Sequence, residues 1–141
     1  MIERMRQLAD MAQGFAPPEA VAMSEAGFSL DINGDTLSFF SPDGEAAASY
    51  CRAKVAELGA RKCPGAFAEA ALNGNFFWSG TEGATLSLNT TENSIYLTDR
   101  FDEGAFQSEA AFKDYINGFL RTLFDWQERL ETFMAETEVA K

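Results

Sequence analysis

The sequence contains few residue types that could carry out catalysis. It has no histidine, so it lacks the side chain that most often acts as a general base and most often binds metal ions. Enzyme chemistry would therefore have to use carboxylates or thiols. Asp99, Asp102 and Glu103 surround Arg100 and could form an acid pair. A cluster of this kind at the end of a strand is far more often solvated surface than a functional pair.

The two cysteines, Cys51 and Cys63, are separated by eleven residues. That spacing suits neither a zinc knuckle nor a thioredoxin-like redox pair. Without a histidine, neither thiol has the usual activating base. We therefore expect reduced, structural thiols that behave as small apolar residues. The sequence predicts no catalytic residues, no metal site and no cofactor.

The acidic composition restricts the classes of partner. The 141 residues include 22 Asp and Glu against 11 Lys and Arg, for a net charge of -11. Such a charge repels phosphate backbones and anionic lipid surfaces, so we expect no nucleic-acid partner and no membrane insertion. No segment has the roughly 18 apolar residues of a membrane span, and residues 1–10 lack the apolar core of a signal peptide. We expect a cytoplasmic protein with a single domain over residues 1–141.

The first part of the chain shows a helix followed by a hairpin. Apolar residues recur at helical spacing from Ile2 onwards, and the charged residues Glu3, Arg4, Arg6 and Asp10 fall mostly on the other side of the helix. The helix is predicted to end at about Gly14, before a proline pair that prevents continuation. Residues 16–26 are predicted to be a connector. Two alternating strands, 28–32 and 36–40, flank an Asn-Gly pair that favours a tight hairpin turn.

Residues 45–58 are compatible with two kinds of element. Their apolar residues fit a helix, whereas Cys51, Ala53 and Val55 alternate with charged residues as they would in a strand. An isolated hairpin is marginally stable in water. We therefore expect this segment to be a third strand of the sheet.

The second part of the chain repeats the pattern of helix, strands and helix. A short alanine-rich helix is predicted from Pro64 to Leu72, and strands are predicted at 76–78, 84–88 and 94–101. A long helix is predicted from the N-cap Ser108 to about Glu136. The order α-βββ-α-βββ-α predicts an α+β fold, with an antiparallel twisted sheet and helices packed on one side.

The run from Leu72 to Leu88 resembles the central signature of the CesT-like (class I) type III secretion chaperones. That signature reads Leu-Leu, two variable residues, Asn-Leu/Phe, a short strand, Gly-Thr-x-Gly-Ala-Thr-Leu and a closing Leu. The matching residues here are Ala71, Leu72, Asn75, Phe76, Gly80, Thr81, Gly83, Ala84, Thr85, Leu86 and Leu88. The order of elements extends the resemblance over nearly the whole chain. Residues 46–58 depart from the longer, more apolar strand that is typical of the family.

The resemblance implies a homodimer without enzymatic activity that binds the N-terminal segment of a secreted effector protein. Binding would keep the effector soluble, unfolded and competent for secretion, through apolar grooves and an edge strand that accepts an effector strand. The effector-binding residues implied by analogy are Ile2, Met5, Leu8, Phe28 and Leu30. The implied dimer-interface residues are Phe67, Ala68, Ala71, Leu72, Ala84, Leu86 and Leu88.

A second interpretation stays open on the residues alone. The long helix and the sheet could enclose an aromatic pocket, as in a small-molecule-binding or enzymatic α+β domain. Phe76, Phe77 and Trp78 are consecutive, so on a strand at least one of them must point away from its neighbours. Either both faces are covered or an apolar patch is exposed for a partner. An adaptor of related fold outside secretion is a third possibility, since fold does not determine function.

Overall fold

The computed structural model describes residues 2–42, 48–102 and 104–139. Short 3-10 turns lie at Pro18–Ala20 and Phe76–Trp78. The helices and strands are α1 (Glu3–Gln13), β1 (Val21–Met23), β2 (Gly27–Ile32), β3 (Asp35–Phe40), β4 (Ser49–Glu57), α2 (Gly65–Asn75), β5 (Thr85–Asn89), β6 (Ser94–Phe101) and α3 (Glu109–Val139). The strands form a six-stranded antiparallel sheet in the order β1-β2-β3-β4-β6-β5. The predicted α+β fold is confirmed.

The contacts within the chain group its residues into two compact units. The first unit comprises Met1–Ala53 and Asp99–Phe119, and the second comprises Lys54–Thr98 and Leu120–Lys141. Three elements, β4, β6 and α3, contribute residues to both units. The expectation of a single domain stays a prediction.

The interior of the first unit is built around the buried ring of Phe39. Its centroid lies 5.0 Å from that of Phe28, 5.2 Å from that of Phe112 and 6.5 Å from that of Phe101. Phe28 faces Phe39 because β2 and β3 pair in the register that the Asn33-Gly34 turn sets. These two turn residues have φ values of 53° and 90°, as the predicted tight hairpin requires.

Helix α1 covers this interior with Met5, Leu8 and Ala12, which are fully buried. The helical spacing predicted these positions, but it placed Arg4 on the solvated face, which is wrong. Arg4 is only 8% exposed, and its guanidinium Nη2 donates to the carbonyl of Phe106 over 2.8 Å. A buried charged side chain needs hydrogen-bond partners, and the carbonyl of Phe106 supplies one.

Strand β4 confirms the strand interpretation for its part of residues 45–58. Cys51 and Ala53 pair with Phe39 and Leu37 of β3 and are buried, while Arg52 between them is exposed. Residues 45–47 of the predicted element lie outside the described residues.

Two predicted segments differ from the structure. The connector 16–26 contains the short strand β1, whose three residues are too few to show a periodicity. The predicted strand 76–78 is instead a 3-10 turn, because Phe77 and Trp78 have φ values of 49° and 56°, and a left-handed backbone cannot extend into a sheet. The element order is therefore α-ββββ-α-ββ-α, with the predicted total of six strands.

The second unit packs α2 and the following loop on the buried indole of Trp126. The ring of Phe67 meets this indole edge to face at 5.9 Å. The indole Nε1 of Trp126 donates to the carbonyl of Gly80 over 3.0 Å. Helix α2 can come this close because Gly74 has no side chain. A Cβ at this position would lie 2.7 Å from Trp126 Cζ2.

Long helix α3 begins at the predicted cap. The hydroxyl of Ser108 accepts a hydrogen bond from the amide of Ala111 over 3.1 Å, which satisfies one of the donors left free at a helix N-terminus. Within the described ranges, neither α3 nor another helix combines the length and apolar character of a membrane span.

Replacing Gly74 with alanine should destabilise the protein by about 1–3 kcal/mol, because the added methyl group overlaps a buried indole that its hydrogen bond holds in place. Urea unfolding followed by circular dichroism measures the change. The matched control is Gly65→Ala at the start of the same helix, where an added Cβ meets no atom within 4 Å. The control should leave stability unchanged or raise it by about 0.5–1 kcal/mol. Equal effects of the two substitutions would contradict the described packing.

Candidate functional site

The end of α2 is joined to β5 by the side chain of Asn75. Its Nδ2 donates to the carbonyl of Leu86 over 3.0 Å, and the amide of Leu86 donates to Asn75 Oδ1 over 2.9 Å. Strand β5 stands at one end of the sheet order, so its outer backbone groups face no further strand. The Asn75 amide therefore does for Leu86 what a neighbouring strand would do.

The glycines of the signature run close the loop after α2. The amide of Gly80 donates to the carbonyl of Gly74 over 3.0 Å, and the amide of Gly83 donates to the carbonyl of Trp78 over 3.2 Å. A Cβ at Gly80 would lie 2.9 Å from the Cα of Gly74. Inside this loop the buried hydroxyl of Thr81 donates to the carbonyl of Ala84. These contacts explain why the run needs glycine and threonine at its fixed positions.

The closed loop presents three consecutive aromatic side chains, which we call the aromatic loop (Phe76, Phe77 and Trp78). Phe77 is 79% exposed, Phe76 is 68% exposed and Trp78 is 51% exposed. Trp78 is tethered, since its Nε1 donates to Thr85 Oγ1 over 3.1 Å. Of the two outcomes considered from the sequence, covered faces or an exposed apolar patch, the structure shows the exposed patch.

Beside the aromatic loop, α2 and β5 border a surface cavity of about 210 Å³, which we call the apolar hollow. Its lining residues are Cys63, Phe67, Ala68, Ala71, Leu72, Asn75, Leu86, Ser87, Leu88 and Ile95. Most of the residues predicted for a dimer interface are among them, and Ala84 is instead buried in the interior. Leu72 is 73% exposed and Leu88 is 44% exposed. The structure brings these residues together on one surface, and their role as a dimer contact stays a prediction.

The residues predicted to bind an effector lie in the first unit, and most of them are buried. Met5, Leu8 and Leu30 are 0% exposed and Phe28 is 2% exposed, while Ile2 is half-buried. Their side chains form the interior beneath α1, so a bound segment could touch the four buried ones only if α1 moved. Their role in effector binding stays a prediction.

An open groove lies between α1 and the residues of and after β1, and we call it the α1–β1 groove. It has a volume of about 740 Å³, and it is lined by Arg6, Ala9, Asp10, Gln13, Met23, Ser24 and Glu25. Met23 is 53% exposed, and β1 stands at the other end of the sheet order. This groove was not predicted from the sequence, because residues 16–26, which include β1, were predicted to be a connector. An edge strand beside an exposed methionine can bind an extended peptide through main-chain hydrogen bonds and an adaptable apolar contact.

Three titratable residues of the first unit, Cys51, Asp99 and Tyr115, interact with one another. The hydroxyl of Tyr115 donates to Asp99 Oδ2 over 2.5 Å. Burial raises the pKa of Tyr115, and burial likewise raises the pKa of the Cys51 thiol, with a smaller contribution from the negative charge of Asp99. Asp99 therefore serves as the acceptor for the half-buried phenol of Tyr115. Of the residues considered with Asp99 for an acid pair, Glu103 lies outside the described residues.

A sequence model of the Tir chaperone protein (CesT) family matches residues 17–127, which is most of the chain. The chain belongs to this family. The family is a family of chaperones. Around Phe39, the aromatic rings of β2, β3 and α3 pack directly against one another. No relative was found among curated protein sequences.

Solved structures share the fold of this family member at low sequence identity. The crystal structure of the ExsC–ExsE complex has a TM-score of 0.71 at 17% identity, covering 92% of this chain and 97% of the other. The HopA1–SchA chaperone–effector complex has a TM-score of 0.61 at 16% identity, covering 88% and 94%. The ExoU–SpcU complex from the type III secretion system of Pseudomonas aeruginosa has a TM-score of 0.58 at 16% identity, covering 94% and 97%. At these identities the likeness establishes the fold.

Replacing Asn75 with alanine should lower the free energy of unfolding by about 1–3 kcal/mol, because both outer backbone groups of Leu86 lose their partner. Chemical unfolding of the purified variant measures the loss. Asn73→Ala is the matched control, since Asn73 is exposed on the same helix and its replacement should change stability by less than about 0.5 kcal/mol. A loss no larger than that of the control would contradict the role given to Asn75.

Proposed function

We propose that this protein is a cytoplasmic type III secretion chaperone that binds the N-terminal segment of a secreted effector and keeps it soluble, unfolded and competent for secretion. The observation that carries the proposal is the match to the Tir chaperone family over residues 17–127. Two similar solved structures, a chaperone–effector complex and a complex from a type III secretion system, support it.

The physical basis of binding is an extended client segment held without chemistry. A disordered segment has unsatisfied backbone groups and scattered apolar side chains, and both must be covered to prevent aggregation. The free edge of β1 offers backbone hydrogen bonds, and the neighbouring α1–β1 groove offers the exposed side chain of Met23. Five residues were predicted to bind an effector. In this account Ile2 lies at the border of the bound client, while the buried side chains of Met5, Leu8, Phe28 and Leu30 support the groove from beneath.

The proposed functional unit is a homodimer that associates through the apolar hollow. An exposed surface carrying Leu72, Leu88 and the aromatic loop is unusual for a monomer, because contiguous apolar patches normally mark an interface. A dimer would also present two α1–β1 grooves to one client chain, so that a long segment could bind both with the gain that linked sites provide.

Recovery of the client tests the proposal. Tagged protein should be purified under native conditions from its own cells, and the partner should be identified by mass spectrometry. The expected partner is a secreted protein, and its N-terminal segment fused to a neutral reporter should stay soluble only when the chaperone is present. A stable monomer with no protein partner would contradict the proposal.

Within such a complex, Met23→Asp should weaken client binding roughly tenfold, because it removes an exposed apolar contact and adds a charge beside Asp10 and Glu25. Isothermal titration with the client segment measures the change. The control Phe124→Asp alters a similarly exposed apolar side chain outside the groove, so it should leave client affinity unchanged.

Met5→Glu should instead unfold the protein, because the side chain of Met5 is fully buried. A folded Met5→Glu variant that selectively loses the client would support direct contact by the buried set.

A further inference from the structure

The backbone of the aromatic loop is held in an unfavourable conformation. Phe77 has φ 49° and ψ 23°, and Trp78 has φ 56°. The left-handed region costs roughly 1–2 kcal/mol for a residue with a Cβ, and bulky residues adopt it rarely. Strain of this kind persists where the surrounding structure imposes it, and it is concentrated at functional positions. Here the closed loop between Gly74 and Gly83 imposes the strain.

Among the described residues, the side chain of Phe77 gains little packing from this strained conformation. Its ring touches that of Phe76 at 4.8 Å and is otherwise 79% exposed. Trp78, by contrast, uses its indole N–H to bind Thr85. The exposed phenyl ring is therefore available to a partner outside this chain.

The apolar hollow has the size and chemistry to receive such a ring. Its volume of about 210 Å³ exceeds the roughly 150 Å³ of an apolar cavity that binds benzene. The amide of Asn75, a polar group in its lining, already binds the backbone of Leu86 at both ends. The hollow therefore offers apolar contact more than hydrogen bonds, and a hydrocarbon ring suits it.

The charge distribution indicates that the ring comes from a second copy of this chain. The segment 70–91 contains a single charged residue, Glu82, whereas 23% of the whole chain is charged. Two copies each carrying a net charge of -11 repel one another. They can approach most easily where both surfaces lack charge, and this segment contains both the aromatic loop and much of the hollow.

We propose that Phe77 of each copy inserts its ring into the apolar hollow of the other copy. The inference rests on the proposed homodimer and specifies the residue that anchors it. Phe77 follows Asn75, a lining residue of the hollow, by two positions, and a two-fold axis makes the two insertions equivalent. Occupation of the hollow buries Leu72 and Leu88 around the ring and excludes water from the contact, the arrangement typical of an energetic hot spot.

The direct test measures dimer dissociation by analytical ultracentrifugation. Phe77→Ala should raise the dimer dissociation constant at least tenfold, as expected for removal of a buried aromatic anchor. The matched control Phe124→Ala removes an exposed phenyl ring of the second unit that lies outside both the loop and the hollow, and it should leave the constant unchanged. Phe77→Leu, which keeps an apolar side chain, should fall between the two.

A second variant separates association from folding. Phe77→Gly removes the ring and also relieves the left-handed backbone, since glycine adopts positive φ without strain. This variant should weaken the dimer as much as Phe77→Ala does while unfolding at an equal or higher denaturant concentration when monomeric. A variant that loses dimer and fold together would overturn the inference, because the ring would then be supporting its own chain.

The two cysteines provide an independent probe of the hollow. Cys63 lines it, whereas Cys51 is buried in the first unit. Maleimide should label Cys63 slowly in the dimer and faster in Phe77→Ala at the same protein concentration, while Cys51 stays unlabelled in both. Equal labelling of Cys63 in the two proteins would overturn the inference.

The possible results distinguish this inference from the proposed homodimer on which it rests. A wild-type protein that is monomeric at every concentration overturns the homodimer and the inference together. A wild-type dimer whose dissociation constant is the same in Phe77→Ala overturns the inference alone. Protection of Cys63 by the client segment in a monomer also overturns it, because the hollow would then be a client site.

Discussion

The surface of the second unit depends on the two hydrogen bonds between the side chain of Asn75 and the backbone of Leu86. They fix the last turn of α2 against an edge strand, which would otherwise leave these backbone groups to solvent. With α2 held there, the chain must turn back within a few residues, and the close approach of Gly74 to Gly80 makes that turn possible. The left-handed backbone at Phe77 and the exposure of its ring follow from the same constraint.

The two candidate surfaces differ in the chemistry they offer. The α1–β1 groove carries Arg6, Asp10 and Glu25 around the exposed Met23, and a free strand edge lies beside it. Such a surface can hold many extended sequences, because the backbone supplies the hydrogen bonds and methionine adapts to different side chains. The apolar hollow instead has a defined shape and little charge, which suits one repeated contact between identical chains. A chaperone that must accept a flexible client while keeping a constant assembly needs both kinds of surface.

The sequence allowed most of the fold to be predicted where local chemistry determines the backbone. The Asn33-Gly34 turn, the cap at Ser108 and the spacing of α1 each depend on neighbouring residues, so they could be recognised without the structure. Strand β4 was predicted correctly because an isolated hairpin needs a third strand to be stable in water. The predictions failed where long-range contacts determine the conformation. The loop closure between Gly74 and Gly80 overrides the strand preference of three consecutive aromatics, and the carbonyl of Phe106 draws Arg4 out of solvent.

The candidate site was less predictable than the fold for the same reason. Periodicity identified Met5, Leu8, Phe28 and Leu30 as apolar positions on α1 and β2, but it cannot distinguish the floor of a groove from its open wall. Burial resolves that question only after the helix has packed. The residues around the hollow could be named because the signature run places them on two adjacent elements, and the structure brings most of them together.

Native-state amide hydrogen exchange of Leu86, followed by nuclear magnetic resonance, tests the central claim most directly. The outer amide of an edge strand normally exchanges quickly, whereas the amide of Ser87 lies at the position that pairs with Tyr96 of β6. If Asn75 anchors α2 to β5, the Leu86 amide should be protected about as strongly as that of Ser87, because each must await opening of the same structure. Exchange of Leu86 at the rate of the exposed residues of the loop would contradict the account.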